Sequence, residues 1–131
     1  MDYAYIWHNE VREYEIDFQG IVNHSVYINY LEQCRCLYLR TKKFDVCELH
    51  TQGYDLVLAD METQYKVSLR SADEFYVTLN THREGKLRIC FEQKIFKSKT
   101  HELVLVAKVT VVCLDAKTRK PCAPEFLTKI L

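Results

Sequence analysis

Two hydrophobic periods divide this chain. Over residues 25–41, Tyr27, Tyr30, Leu31, Cys34, Leu37, Tyr38 and Thr41 recur at the i, i+3, i+4, i+7 spacing of a helix with one buried face. Asn23 or Ser25 can cap its start by accepting from an orphan backbone N–H, and Lys42-Lys43 suits the negative pole of its dipole. Elsewhere the period is two. After a turn at Glu84-Gly85-Lys86, Leu87, Ile89, Phe91, Gln93 and Ile95 alternate with Lys86, Arg88, Glu92 and Lys94, giving a strand with one buried face. Residues 5–16, 54–69 and 75–81 are rich in aromatic and β-branched side chains and also read as strands. Residues 103–114 are apolar on both faces, as an interior strand is, and Pro121 and Pro124 end the regular structure.

The predicted order is strand, one long helix, then about four long antiparallel strands. A lone apolar-faced helix has to be covered, and the sheet is its natural cover. The expected architecture is therefore α+β, with a curved antiparallel sheet of about five strands wrapped round a long central helix. Three glycines and two prolines leave few breaks, no linker or repeat stands out, and 131 residues fit a single domain, 1–131. The outer face and edges of such a sheet are often covered by a second copy, so self-association to a homodimer or homotetramer is expected.

Composition narrows the partners. Eighteen basic and eighteen acidic residues give zero formal charge, which disfavours a nucleic-acid binder. No apolar run approaches the ~20 residues of a membrane span, and the start Met-Asp-Tyr-Ala-Tyr shows no charged-then-apolar leader. A cytoplasmic setting is expected, with the six cysteines (34, 36, 47, 90, 113 and 122) as reduced thiols serving as small core residues. They form no Cys-x-x-Cys pair. The five histidines (8, 24, 50, 82 and 101) show no His-x-His or His-x-x-x-His spacing, so neither a metal nor another cofactor is expected.

Chemistry concentrates where the first strand gives way to the helix, in Glu15-Ile16-Asp17-Phe18-Gln19-Gly20-Ile21-Val22-Asn23-His24-Ser25-Val26-Tyr27. Here a carboxylate lies a few residues from the N–H groups of a helix start, an apparatus suited to attack on an activated carbonyl. Aspartate is also a common turn residue, and spacing alone leaves both readings of Asp17 open. The pattern Asp17-x-x-Gly20-x-Val22-x-His24-x-x-Tyr27, followed by Tyr30-Leu31-Glu32-x-x-Arg35, resembles the acyl-CoA thioesterases of the hotdog fold. Within them it is most similar to the 4-hydroxybenzoyl-CoA thioesterase-like branch. A strand holding Tyr65 and a closing Leu114-Asp115-x-x-x-x-Lys120-Pro121-x-x-Pro124 also fit, so the resemblance covers nearly the whole chain.

That resemblance implies hydrolysis of an acyl-CoA, or an acyl-carrier-protein thioester, at a site formed in a dimer interface. Asp17 matches the family's catalytic carboxylate, as nucleophile or as general base for water. His24 matches the position whose backbone N–H polarises the thioester carbonyl, and its imidazole is a lesser candidate for a second base. The branch commonly carries a glycine-aspartate pair before the third strand, where this chain has Ala72-Asp73. The His-Gly-Gly signature of another thioesterase branch, which places a glutamate on the helix, is absent, so Glu32 is a poor rival to Asp17.

Aspartate is a carboxylate at neutral pH without special tuning, and a thioester needs little more than a nucleophile or base and donors for the oxyanion. Gly20 permits a sharp turn or a close approach of the thioester. Asn23 either caps or contacts substrate, and Tyr27 is core or pocket wall. Coenzyme A carries phosphates, for which Arg83, Lys86, Arg88, Lys97 and Lys99, flanking the ends of the 86–97 strand, are the candidate cations. The alternatives are a non-catalytic acyl-CoA or small-ligand binding module on the same fold, and an oligomeric interaction protein with no ligand.

Overall fold

The computed structural model describes residues 2–131, in which five strands form one antiparallel sheet whose order differs from that of the chain. The strands are β1 (Tyr5–Glu10), β2 (Tyr54–Tyr65), β3 (Glu74–Glu84), β4 (Arg88–Lys97) and β5 (Leu103–Asp115), arranged β1-β3-β4-β5-β2. Alternation decides which face turns inward. Phe75, Val77 and Leu79 of β3, Ile89, Phe91 and Ile95 of β4, and Leu105, Val109 and Cys113 of β5 are all buried on one side. The helix α1 (His24–Thr41) lays Tyr27, Tyr30, Leu31, Cys34, Tyr38 and Leu39 against that side, closing one core. This is the helix wrapped by a sheet that the hotdog resemblance implied.

Gln93 is the polar exception inside. Its amide nitrogen donates to the Leu31 carbonyl at 3.0 Å and its oxygen accepts from Arg35 at 3.1 Å, so a fully buried amide is satisfied from the helix. Burial lowers the Arg35 pKa from its ordinary value, without removing the charge that this bond uses.

Several expectations are corrected. The first strand stops at Glu10 rather than residue 16, because the Val11 N–H leaves the ladder for the Asp73 carbonyl at 2.9 Å and residues 13–15 wind into a 3₁₀ turn. On α1, Thr41 is exposed and Leu37 only half-buried, while Leu39 joins the core. Asn23, not Ser25, is the cap: its side-chain oxygen accepts from the Ser25 N–H at 3.0 Å. A second helix, α2 (Val46–Thr51), was not legible, since six residues are too few to show a period; Asp45 caps it. Regular structure also continues past the prolines, as a 3₁₀ helix at Glu125–Ile130 that buries Leu127 and Ile130. Only Cys34, Cys90 and Cys113 are core thiols; Cys36 and Cys122 are half-buried and Cys47 is exposed.

Both outer strands of the sheet have a free side. β1 is short, whereas β2 runs for 12 residues and carries a bulge, with Leu58 opposite Val111 and Asp60 opposite Thr110 so that Ala59 is left over. No described helix is long and apolar enough to cross a membrane.

Candidate active site

The turn that carries Asp17 is built by its own backbone. Ile16 and Val22 bridge antiparallel, the Asp17 N–H donates to the Ile21 carbonyl at 2.9 Å, and the Gly20 N–H donates to the Asp17 carbonyl at 3.0 Å. Gly20 sits at φ +82°, a left-handed conformation costly for other residues. A Cβ there would meet nothing within 4 Å, so the conformation, not a close approach, is what requires glycine. The hairpin is tied down on two sides: Val22 donates to the Leu69 carbonyl, and Asn23 to the Glu15 carbonyl.

Glu15 anchors the same turn from beneath. Its buried carboxylate accepts from the Tyr30 hydroxyl at 2.7 Å and from the Arg12 N–H at 2.8 Å. Burial and the neighbouring carboxylate raise the Tyr30 pKa far above its ordinary value, so this hydroxyl stays a donor.

Asp17, His24 and Tyr27 open onto one cavity of about 300 Å³, together with Gln19, Ile21, Val22, Tyr65 and residues 66–68. Asp17 Oδ1 is engaged by the Gln19 N–H at 2.8 Å. Among the described residues, Oδ2 takes no donor. The first turn of α1 faces the same space. Ser25 and Val26 give their N–H groups to Asn23, by side chain and carbonyl, while the His24 N–H has no acceptor among the described residues. An open N–H at the positive end of an 18-residue helix is a ready donor for developing negative charge. The His24 imidazole is exposed.

Two tyrosines close the wall. The Tyr27 hydroxyl accepts from the Leu69 N–H at 2.9 Å, and Tyr65 donates to the His24 carbonyl at 3.2 Å, with the two rings 5.6 Å apart. Burial raises the Tyr27 pKa, so the hydroxyl keeps a proton that can point into the cavity. Tyr65 arrives from the end of β2, far along the sequence; no local pattern marks it as a wall residue. Asn23 acts through its cap and does not line the cavity.

The candidate cations do not form one group. Arg83, Lys86 and Arg88 surround the β3–β4 hairpin, whereas Lys97 lies at the other end of β4, ion-paired with Glu102 at 3.7 Å beside Lys99. Ten strand residues separate the two sets by ~30 Å. Lys97 shares the end of the sheet that holds Asp17, because β3 begins just after residues 69–73, to which the Asp17 turn is bonded. The hairpin cations stand at the far end. There they have company: the turn after β5 holds Lys117, Arg119 and Lys120, and Arg119 bonds Asp55 at 2.6 Å, which also binds the His50 ring at 2.6 Å.

A second cavity of about 460 Å³ opens between α1, α2 and β2. It is walled mainly by apolar side chains, including Ile28, Leu39, Val46, Leu56, Leu58 and Met61.

Comparison with known proteins places this geometry in a family. The sequence profile of the thioesterase-like superfamily matches residues 11–131, and the chain belongs to that family. A chloroplastic acyl-acyl carrier protein thioesterase of Arabidopsis thaliana is 35% identical over 118 residues, or 90% of this chain and 63% of the relative. The chain thus spans less than two thirds of that plant protein. The acyl-CoA thioesterase YbgC of Haemophilus influenzae is 29% identical over 110 residues, covering 83% of this chain and 79% of its own. A crystal structure of a hypothetical protein from Aquifex aeolicus superposes with a TM-score of 0.88 at 30% identity, covering 97% and 98% of the two chains.

Proposed function

We propose that this chain is a thioester hydrolase that cleaves an acyl-CoA, or an acyl-carrier-protein thioester, to a free acid and a thiol. The observation that carries the proposal is a carboxylate, Asp17, opening onto the same cavity as the uncapped His24 N–H of α1. Membership of the thioesterase-like superfamily supports it, as do relatives named for thioester hydrolysis. In the proposed step, negative charge gathers on the thioester oxygen as the carbonyl carbon is attacked. The His24 N–H and the positive end of α1 stabilise that charge. Asp17 either attacks the carbon itself, giving an anhydride that water then opens, or takes a proton from the attacking water. In both routes the sulfur leaves as thiolate. In the general-base route water supplies the oxygen of the acid, whereas in the anhydride route water attacks the Asp17 carbonyl, leaves its oxygen in Asp17 and passes an Asp17 oxygen to the acid.

The test is thiol release from a panel of acyl-CoA and acyl-carrier-protein substrates. Turnover on at least one, lost in Asp17→Asn, is expected; binding without turnover on any would instead mark a non-catalytic acyl-CoA module. A single turnover in water carrying a heavy oxygen isotope separates the two routes, since only direct attack leaves the label in Asp17.

The placement of the cations supports a homodimer. If the free edges of β2 pair antiparallel about a two-fold axis, the Tyr54 end of one strand meets the Tyr65 end of the other. The basic end of one copy, with Arg83, Lys86, Arg88 and Arg119, then stands beside Asp17 of its partner, where CoA phosphates need cations. The apolar cavity against Leu56 and Leu58 comes to the same seam and offers room for an acyl chain. Measured at substrate well below KM, where the second variant is about tenfold weaker, exchange between Asp17→Asn and Arg88→Glu/Arg119→Glu subunits should raise activity to about a quarter of native, the share expected when half of the dimers keep one intact site. No recovery after subunit exchange would exclude a shared site.

A further inference from the structure

We propose that Cys113 and Cys122 form a thiol pair that closes a disulfide under oxidising conditions, fastening the C-terminal segment to β5. β4 begins at Arg88, opposite Val112, so beyond that point the lane beside β5 has no strand in it. The chain fills the lane with its own continuation. The Asp115 N–H donates to the Lys120 carbonyl at 2.9 Å, Leu114 bridges Pro121, and the Cys122 N–H donates to the Cys113 carbonyl at 2.9 Å. Cys113 and Cys122 therefore face one another as a directly opposed antiparallel pair. Such pairs hold their Cα atoms ~5.5 Å apart, inside the range a disulfide spans. The two sulfurs are already 3.6 Å apart.

The pair divides the work of oxidation. Cys113 is 1% exposed, and burial pushes its thiol up to about 12, so it meets no oxidant directly. Cys122 is half-buried and reachable. With oxidised glutathione, the Cys122 thiolate attacks one glutathione sulfur, forms a mixed disulfide and releases one reduced glutathione. Cys113 then gives up its proton and attacks the Cys122 sulfur, releasing the second reduced glutathione. Two protein thiols become one disulfide, and one glutathione disulfide becomes two thiols. The high Cys113 pKa slows the second step without blocking it.

The link holds a segment that matters to the core. Leu127 and Ile130 are buried, the Ile130 carbonyl accepts from the Tyr38 hydroxyl, and Phe126 packs on Phe44 and Tyr54 with ring centroids 5.4 and 5.2 Å away. Closing the short loop between the cysteines limits how far this segment detaches.

The experiment incubates the full reduced chain with oxidised glutathione and maps peptides without reduction. The expected product has lost two hydrogens and joins Cys113 to Cys122. Its Tm is expected to rise by about 5–10 °C and to return on reduction with dithiothreitol. Cys122→Ser should give neither the link nor the rise, and Cys113→Ala should keep glutathione on Cys122. Cys122 found in native protein only as thiol or stable glutathione adduct would overturn the proposal. So would oxidation confined to Cys36 or Cys47.

Discussion

The two ends of the sheet solve opposite problems. At the Asp17 end, the backbone is spent on geometry: four backbone hydrogen bonds and a left-handed glycine hold a carboxylate near a helix start, and the buried Glu15–Tyr30 contact braces them. At the far end the backbone turns quickly and the side chains are cations, most of them exposed. One end is braced by backbone bonds; the other gathers exposed cations, of which Arg119 is paired with Asp55. A thioester of coenzyme A needs both, a fixed reacting carbonyl and an adaptable grip on phosphate. In one copy of the chain the Asp17 turn and the hairpin cations stand ~30 Å apart along β4.

The sharpest way to break this contrast is Asp17→Asn, expected to lower kcat/KM by about 10³-fold in a thiol-release assay while leaving Tm nearly unchanged. A comparable loss from charge reversal at the far end would erase the distinction. Tyr30→Phe tests the rigidity next. It strips a donor from a buried carboxylate and is expected to cost about 2 kcal/mol in denaturant unfolding, with kcat falling as the turn loosens. At the adaptable end, Arg88→Glu/Arg119→Glu should raise KM for acyl-CoA about 10-fold with little change in kcat. The same variant should treat a short thioester without phosphates normally, and equal loss on both substrates would argue against a phosphate grip.

The smallest effect is electrostatic. Glu84 is held at about 2, against an ordinary 4.5, by Lys108 at 2.8 Å, then by Cys90 and His82. A depressed carboxylate pKa stabilises the fold above the ordinary value and loses that contribution as pH falls from about 4.5 toward 2. Lys108→Met should shallow that acid limb of a Tm–pH curve; an unchanged limb would leave Glu84 without influence.

Much of this was legible because its signals are local. The helix at 24–41 showed itself through Tyr27, Tyr30, Leu31, Cys34 and Tyr38, and β4 through the alternation from Ile89 to Ile95. Asp17, Gly20 and His24 sit within eight residues of one another, so one motif could hold them together. What escaped depends on where distant segments meet. Tyr65 enters the cavity only because β2 ends beside the start of α1, and the hairpin cations look contiguous with Lys97 until β4 is drawn at full length. β1 looked longer than it is because Val11 bonds outside its ladder to Asp73, a partner that no periodicity in residues 5–16 can reveal.

For the proposed homodimer, the bulge at Ala59 bears on the fidelity of assembly. A perfectly regular edge could meet its copy at many offsets two residues apart, each repeating the same backbone pattern and each giving a differently shaped oligomer. One extra residue near the middle of β2 removes that translational ambiguity. Two copies that slip would set a bulge against straight strand and lose bonds, whereas one symmetric alignment places the irregularities in equivalent positions. In the proposed dimer the defect would act as a keyway, cut into the one long edge where an error of registry would be easiest to make.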